Sequence, residues 1–223
     1  MEINIVNDFY TNSDKKRLPK KKIIAKGISF YLLALFLVLV SLGLLYFILK
    51  LTDIDTHQFQ PVDSKTLKIS DSIWFIVLIG PIMEEIGFRL GLSFRKRDMM
   101  VSFPVFVFIA MSIFSGDYLH FLIPKIGVSI LLFLFIYLLP EHLFGKYKIK
   151  YGSKIIIGMT FLFALAHLVN FKLNMVFLPI YLLLCLPQLI MGMTFTYFRL
   201  NLGFLYAISA HILINSLSVL LPS

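Results

Sequence analysis

The sequence predicts an all-α polytopic membrane protein with about seven transmembrane helices (seven to eight) and a cytoplasmic N-terminus. Three observations carry that class. Of the 223 residues, 59% are hydrophobic, against about 45–50% in a soluble domain, and mean hydropathy is +0.88. The apolar residues fall into runs of roughly 17–25, the length that crosses a hydrocarbon core. Lys and Arg crowd into alternate connecting segments, as cytoplasmic loops require.

The first span is expected over residues 27–50, where Ile28 to Leu49 is an apolar run. It follows a basic arm, residues 1–26, carrying Lys15, Lys16, Arg17, Lys20, Lys21, Lys22 and Lys26. A cleaved signal peptide has a core of roughly 7–15 residues and a small-residue cleavage site. Neither fits, so the helix is expected to be retained and the arm to lie on anionic lipid of the inner leaflet. The formal charge of +9 flanks the spans, which speaks for a lipid partner and against nucleic acid. A polar segment, 52–70, then closes a first unit over residues 27–69.

Six further spans are read at 71–93, 99–115, 121–140, 154–170, 174–198 and 203–221. Pro104, Pro124 and Gly127 interrupt the third and fourth, which form a short-turned hairpin. Pro179 and Pro187 are expected to kink the sixth. With the N-terminus inside, 15 of the 21 Lys and Arg fall on inner segments. Five fall outside (Lys50, Lys65, Lys68, Lys125 and Lys172), and Arg89 is intramembrane. The orientation is therefore N-inside, C-outside, in a multi-pass protein of the plasma membrane. The single Cys185 lies in an apolar run; it cannot make an internal disulfide and is read as a packing residue.

Three spans carry polar residues that lipid does not tolerate cheaply. Span two contains Glu84-Glu85-Ile86-Gly87-Phe88-Arg89 inside the apolar stretch Ile73–Leu92. A charge at membrane depth costs roughly 2.5–3.5 kcal/mol on insertion scales, so three within two turns need a reason. Span five holds His167, with Phe163 four residues before it and Asn170 three after; span seven holds His211 and Asn215, four apart. Offsets of three and four share one helical face.

Depth puts these groups at one level. Glu84 is 13 residues from Arg97, His167 is 13 from Lys154 and His211 is 12 from Arg199. At 1.5 Å per residue each sits ~20 Å from an inner-loop anchor. Within span two, Glu85 and Arg89 lie ~40° apart around the helix and can form an ion pair, whereas Glu84 is turned ~100° away. Glu84 is thus freer to face His167 and is a candidate general base for activating a water. Pro81 lacks an N–H and frees a backbone carbonyl near the site. The plainer readings are that Glu85–Arg89 is a structural pair only, that Phe163 packs, and that Asn170 caps its helix. His57, His120, His142 and Asp117 fall at loops or span ends, and Glu141-His142 has no visible third metal ligand.

The ordered pattern E-E-x-x-x-R, F-x-x-x-H, H-x-x-x-N resembles the CPBP intramembrane proteases, which include CAAX prenyl endopeptidases and bacterial bacteriocin-processing or bacteriocin-immunity (Abi) proteins. Here it reads Glu84-Glu85-Ile86-Gly87-Phe88-Arg89, Phe163-Ala164-Leu165-Ala166-His167 and His211-Ile212-Leu213-Ile214-Asn215. It covers residues 70–221, an intramembrane protease-like core with an inserted hairpin at 99–140. The family often has Gly directly after the Arg, where this chain has Leu90 and then Gly91.

The resemblance implies an intramembrane endopeptidase, a peptide-bond hydrolase, in a bacterial membrane. Glu84 with His167 would activate the attacking water, His211 and Asn215 would stabilise the oxyanion, and Glu85 and Arg89 would orient the site. The family is described both as metal-dependent, with histidines and a glutamate on Zn²⁺, and as metal-free; the amide of Asn215 suits an oxyanion donor better than a zinc ligand. The expected substrate is a peptide or membrane protein, in bacteriocin or signalling-peptide processing or self-immunity. The alternatives are a non-catalytic immunity or scaffold protein of the same fold, and a proton-coupled transporter.

Overall fold

A computed structural model describes residues 20–52, 73–115, 121–171 and 173–220. The basic arm before Lys20, the outer polar segment with His57, Lys65 and Lys68, Asp117, His120 and Lys172 lie outside the described residues. The described chain forms eight α-helices. They are α1 (Lys20–Leu51), α2 (Gly80–Arg89), α3 (Lys96–Ser115), α4 (Leu122–Leu138), α5 (Glu141–Ala166), α6 (Leu178–Leu184), α7 (Leu186–Asn201) and α8 (Phe204–Leu220).

Three of these segments are long and apolar enough to cross a membrane: Lys21–Leu51, Lys96–Ser115 and Glu141–Asn170. A fourth is added if α6 and α7, bent by 40°, count as one broken span. The bend falls at Cys185, with Pro179 and Pro187 each in the first turn of its own helix, where a missing N–H is harmless. Of the two prolines expected to kink the span, Pro187 lies at the break and Pro179 at the start of α6. α4 and α8 are apolar but only 17 residues long, ~26 Å at 1.5 Å per residue. Side chains such as Phe36, Leu39 and Tyr46 on α1 stand open on the outside of the bundle. That pattern is the reverse of a soluble protein and fits a lipid solvent.

Two boundaries and the place of one charge differ from the sequence reading. α1 starts at Lys20, inside the basic arm, and α5 starts at Glu141 rather than near 154. Neither added stretch contains a proline, and lysine is a good helix former, so hydropathy ended the spans before backbone geometry does. Lys125, assigned to an outer loop, lies in α4 and is buried.

α7 is the central helix. It packs against α1, α5 and α8, while α2 packs against α3, α5 and α8. Small and hydroxylated residues set the close contacts, as expected where lipid removes the hydrophobic drive between helices. Thr160 Oγ1 on α5 lies 3.1 Å from Thr196 Oγ1 on α7, and Ser102 Oγ on α3 donates to the Gly87 carbonyl at 3.1 Å. A β-carbon at Gly87 would stand 3.3 Å from the Phe106 Cα and 3.0 Å from Ile109 Cδ1. Gly87→Leu is therefore expected to push α2 off α3 and cost about 1–3 kcal/mol, read as a lowered unfolding temperature in detergent.

The helix carrying the two glutamates opens with a π-helical turn, Phe75–Ile79, closed by the Gly80 N–H on the Phe75 carbonyl. In that register the next donor, residue 81, would bond the Ile76 carbonyl. Residue 81 is proline and has no N–H. Asn215 Nδ2 on α8 supplies the donor instead, 2.9 Å from the Ile76 oxygen. The carbonyl freed by Pro81 is thus what docks α8 against the start of α2.

Candidate active site

The adjacent glutamates divide at once by exposure. Glu85 is fully buried, at 0% exposure, whereas the Glu84 side chain is 29% exposed. Glu85 Oε1 accepts from Arg89 Nη1 one turn along α2, forming a buried ion pair. It also lies 2.9 Å from His211 Nδ1 on α8. A carboxylate only accepts, so His211 carries a hydrogen on Nδ1 and directs Nε2 away from the pair. Nε2 in turn stands 3.7 Å from Glu84 Oε2. His211 therefore bridges the two carboxyls, one sealed and one open.

Aromatic rings hold this cluster. The Arg89 guanidinium lies over Phe163 at 4.1 Å and near Phe195 at 5.2 Å. These faces favour a cation electrostatically and exclude water from the pair. His211 stacks on Phe195 at 4.5 Å and meets Phe163 edge-on at 5.8 Å. Arg89 Nη2 also points at the Gly192 carbonyl, 3.5 Å away. A β-carbon at Gly192 would come within 3.0 Å of Phe163 and 3.4 Å of Arg89 Nη2, so glycine there permits the approach. Phe163, read from sequence as packing, is buried at the centre of the site.

His167 follows the end of α5 on a 3-10 turn. Its Nδ1 lies 2.8 Å from the Phe163 carbonyl, and its ring packs 4.8 Å from the Phe163 ring. A carbonyl also only accepts, so Nδ1 holds a hydrogen, and in that neutral tautomer Nε2 is the free acceptor. Both imidazoles thus rest on one phenylalanine. The imidazole that stands beside Glu84, 3.7 Å away, is that of His211, although the sequence spacing pointed Glu84 toward His167. Asn215 spends one N–H on Ile76. Asn170 is exposed, and Cys185 is a buried free thiol at the α6–α7 break.

A second polar cluster closes the other end of α2. Arg199 Nε donates to the Arg89 carbonyl at 3.1 Å and Nη2 to the Leu90 carbonyl at 2.9 Å, with Asp98 Oδ2 at 3.3 Å. Ser93 Oγ donates to the same Asp98 oxygen at 2.7 Å. Sequence counting treated Arg199 as a loop charge; it ties the last carbonyls of α2 to α7. The signal available was Asp98, a lone acid following Arg95, Lys96 and Arg97.

Zinc needs three protein ligands converging at about 2.0–2.2 Å on one point. No three His, Cys, Asp or Glu side chains group in that way among the described residues, and Glu85 Oε1 is already shared by Arg89 and His211. The side chains as arranged do not fit a zinc centre. Comparison with protein families, curated proteins and solved structures finds no match to this chain.

Proposed function

We propose that this protein is an intramembrane endopeptidase that hydrolyses a peptide bond with a water activated by Glu84 and His167. The observation that carries the reading is the contrast between the glutamates: a purely structural cluster would seal both, yet Glu84 stays open beside an imidazole anchored from behind. Glu84 takes the proton of the attacking water. His167, with its bare Nε2, accepts the water's other hydrogen and aims the oxygen at the carbonyl carbon. With His211 as the imidazolium, Glu84, Glu85, Arg89 and His211 sum to zero charge, the cheapest state in a low-dielectric site. Its Nε2–H then faces the developing oxyanion; Asn215, one turn along α8 and bonded to the Ile76 carbonyl, would assist with its second N–H. The proton on Glu84 finally passes to the departing amine.

In this reading the chain crosses the plasma membrane seven times with its N-terminus inside, and the centre lies below the headgroups. An apolar groove of about 470 Å³, lined by Met83, Met100, Pro104, Val105 and Phe133, suits an apolar peptide; Met83 directly precedes Glu84 in the sequence. The role is processing of a bacteriocin or signalling peptide, or self-immunity by cleavage. The test is cleavage of apolar peptides by the protein in liposomes. His167→Ala and His211→Ala are each expected to slow it at least ~100-fold. Undiminished cleavage by both variants, or protection of cells by the double variant, would leave a non-catalytic immunity or scaffold role in its place.

A further inference from the structure

One polar side chain beside the site has no part in that chemistry. Gln188 is the third residue of α7, counted from its N-cap Cys185. A glutamine there commonly turns back to the N-cap N–H. That donor is already spent, on the Tyr181 and Leu182 carbonyls at 3.1 and 3.2 Å. Gln188 Oε1 is instead buried with no hydrogen-bond partner among the described residues.

Helix geometry places it on the site. Gly192 and Phe195 lie one and two turns along α7, ~40° and ~20° around from Gln188. Those two residues meet Phe163, Arg89 and His211. The register between α5 and α7 gives the level. The helices run antiparallel, with Thr160 at Thr196 and Phe163 at Gly192. One turn past Phe163, where the 3-10 turn takes over from α5, is His167; one turn back along α7 is Gln188. The next pair in the register is therefore His167 with Gln188.

A buried acceptor with no donor is costly, and the neighbouring His167 Nε2 is itself an acceptor. An unwound polypeptide carries the complementary group, because each N–H it brings to membrane depth lacks water. We propose that Gln188 is a specificity-determining residue whose Oε1 accepts a backbone N–H of an extended peptide seated across Glu84 and His211. This rests on the hydrolase reading above and names its substrate as an extended backbone, recognised independently of side-chain sequence.

The experiment uses quenched-fluorescent apolar decapeptides with the protein in liposomes, and matched peptides in which one non-scissile amide at a time is an ester. The ester keeps the carbonyl and removes the N–H. At one position the ester is expected to lower wild-type kcat/KM about tenfold. Gln188→Leu brings the all-amide peptide to that same level and is indifferent to that ester, while Gln188→Glu, which keeps an acceptor, stays sensitive to it. An ester penalty that Gln188→Leu leaves intact, or the lack of any penalised position in the wild type, overturns the inference alone. Failure of the wild type to cleave any all-amide peptide overturns the hydrolase reading and this inference with it.

Discussion

Glu84→Gln is expected to lower peptide cleavage by about 10²–10⁴-fold, the range for removing a positioned general base, while the protein stays folded in the membrane. The substitution keeps the side-chain length and the amide can still accept a hydrogen bond, but it cannot take a proton from water. Stability should move little. Glu84 is partly open, and its neighbour His211 keeps its bond to Glu85. The pairing of lost turnover with an unchanged unfolding temperature is the diagnostic result. Glu85→Gln should fail differently, because it weakens a sealed ion pair and loosens the histidine it holds. Wild-type rates from Glu84→Gln would remove the proposed base and the mechanism built on it.

Arg89→Met carries the largest expected stability change, a loss of about 3–5 kcal/mol. Arg89 is buried, bonded to Glu85 and layered between Phe163 and Phe195. Methionine fills the volume and leaves Glu85 charged with His211 as its only partner. Replacing both residues, Glu85→Leu with Arg89→Met, should recover much of that loss, because a buried pair costs desolvation that an apolar pair does not. Recovery of stability without recovery of cleavage would separate the pair's cost from its use in holding His211. Arg89→Lys should not rescue. An ammonium lacks the planar fork that reaches Glu85 and Gly192 together while lying flat on a phenyl ring. Unfolding temperature in detergent, with cleavage measured in parallel, checks all three variants.

Much of the helical organisation was legible in the chain because it depends on local quantities. Hydropathy runs mark apolar helices whatever their neighbours, and Pro187 marks the α6–α7 break because a missing N–H acts on its own helix. The Glu85–Arg89 pair was also legible, being one turn apart on one helix. The helix extensions to Lys20 and Glu141 were not, because hydropathy reports the solvent a residue prefers and not where its backbone bonds stop.

By itself the sequence picked out the acids and imidazoles that come together, because each stands out as a polar group on an apolar helix, although two of the charges taken as loop anchors, Lys154 and Arg199, lie within helices. Only the tertiary structure decided which of them meet. Rotation of each helix about its own axis is set by side-chain packing across interfaces, and no spacing within one helix encodes it. That rotation gave His211 both glutamates, sent Asn215 to the carbonyl that Pro81 leaves without a donor, and brought Gly192 and Phe195 of α7 to the site.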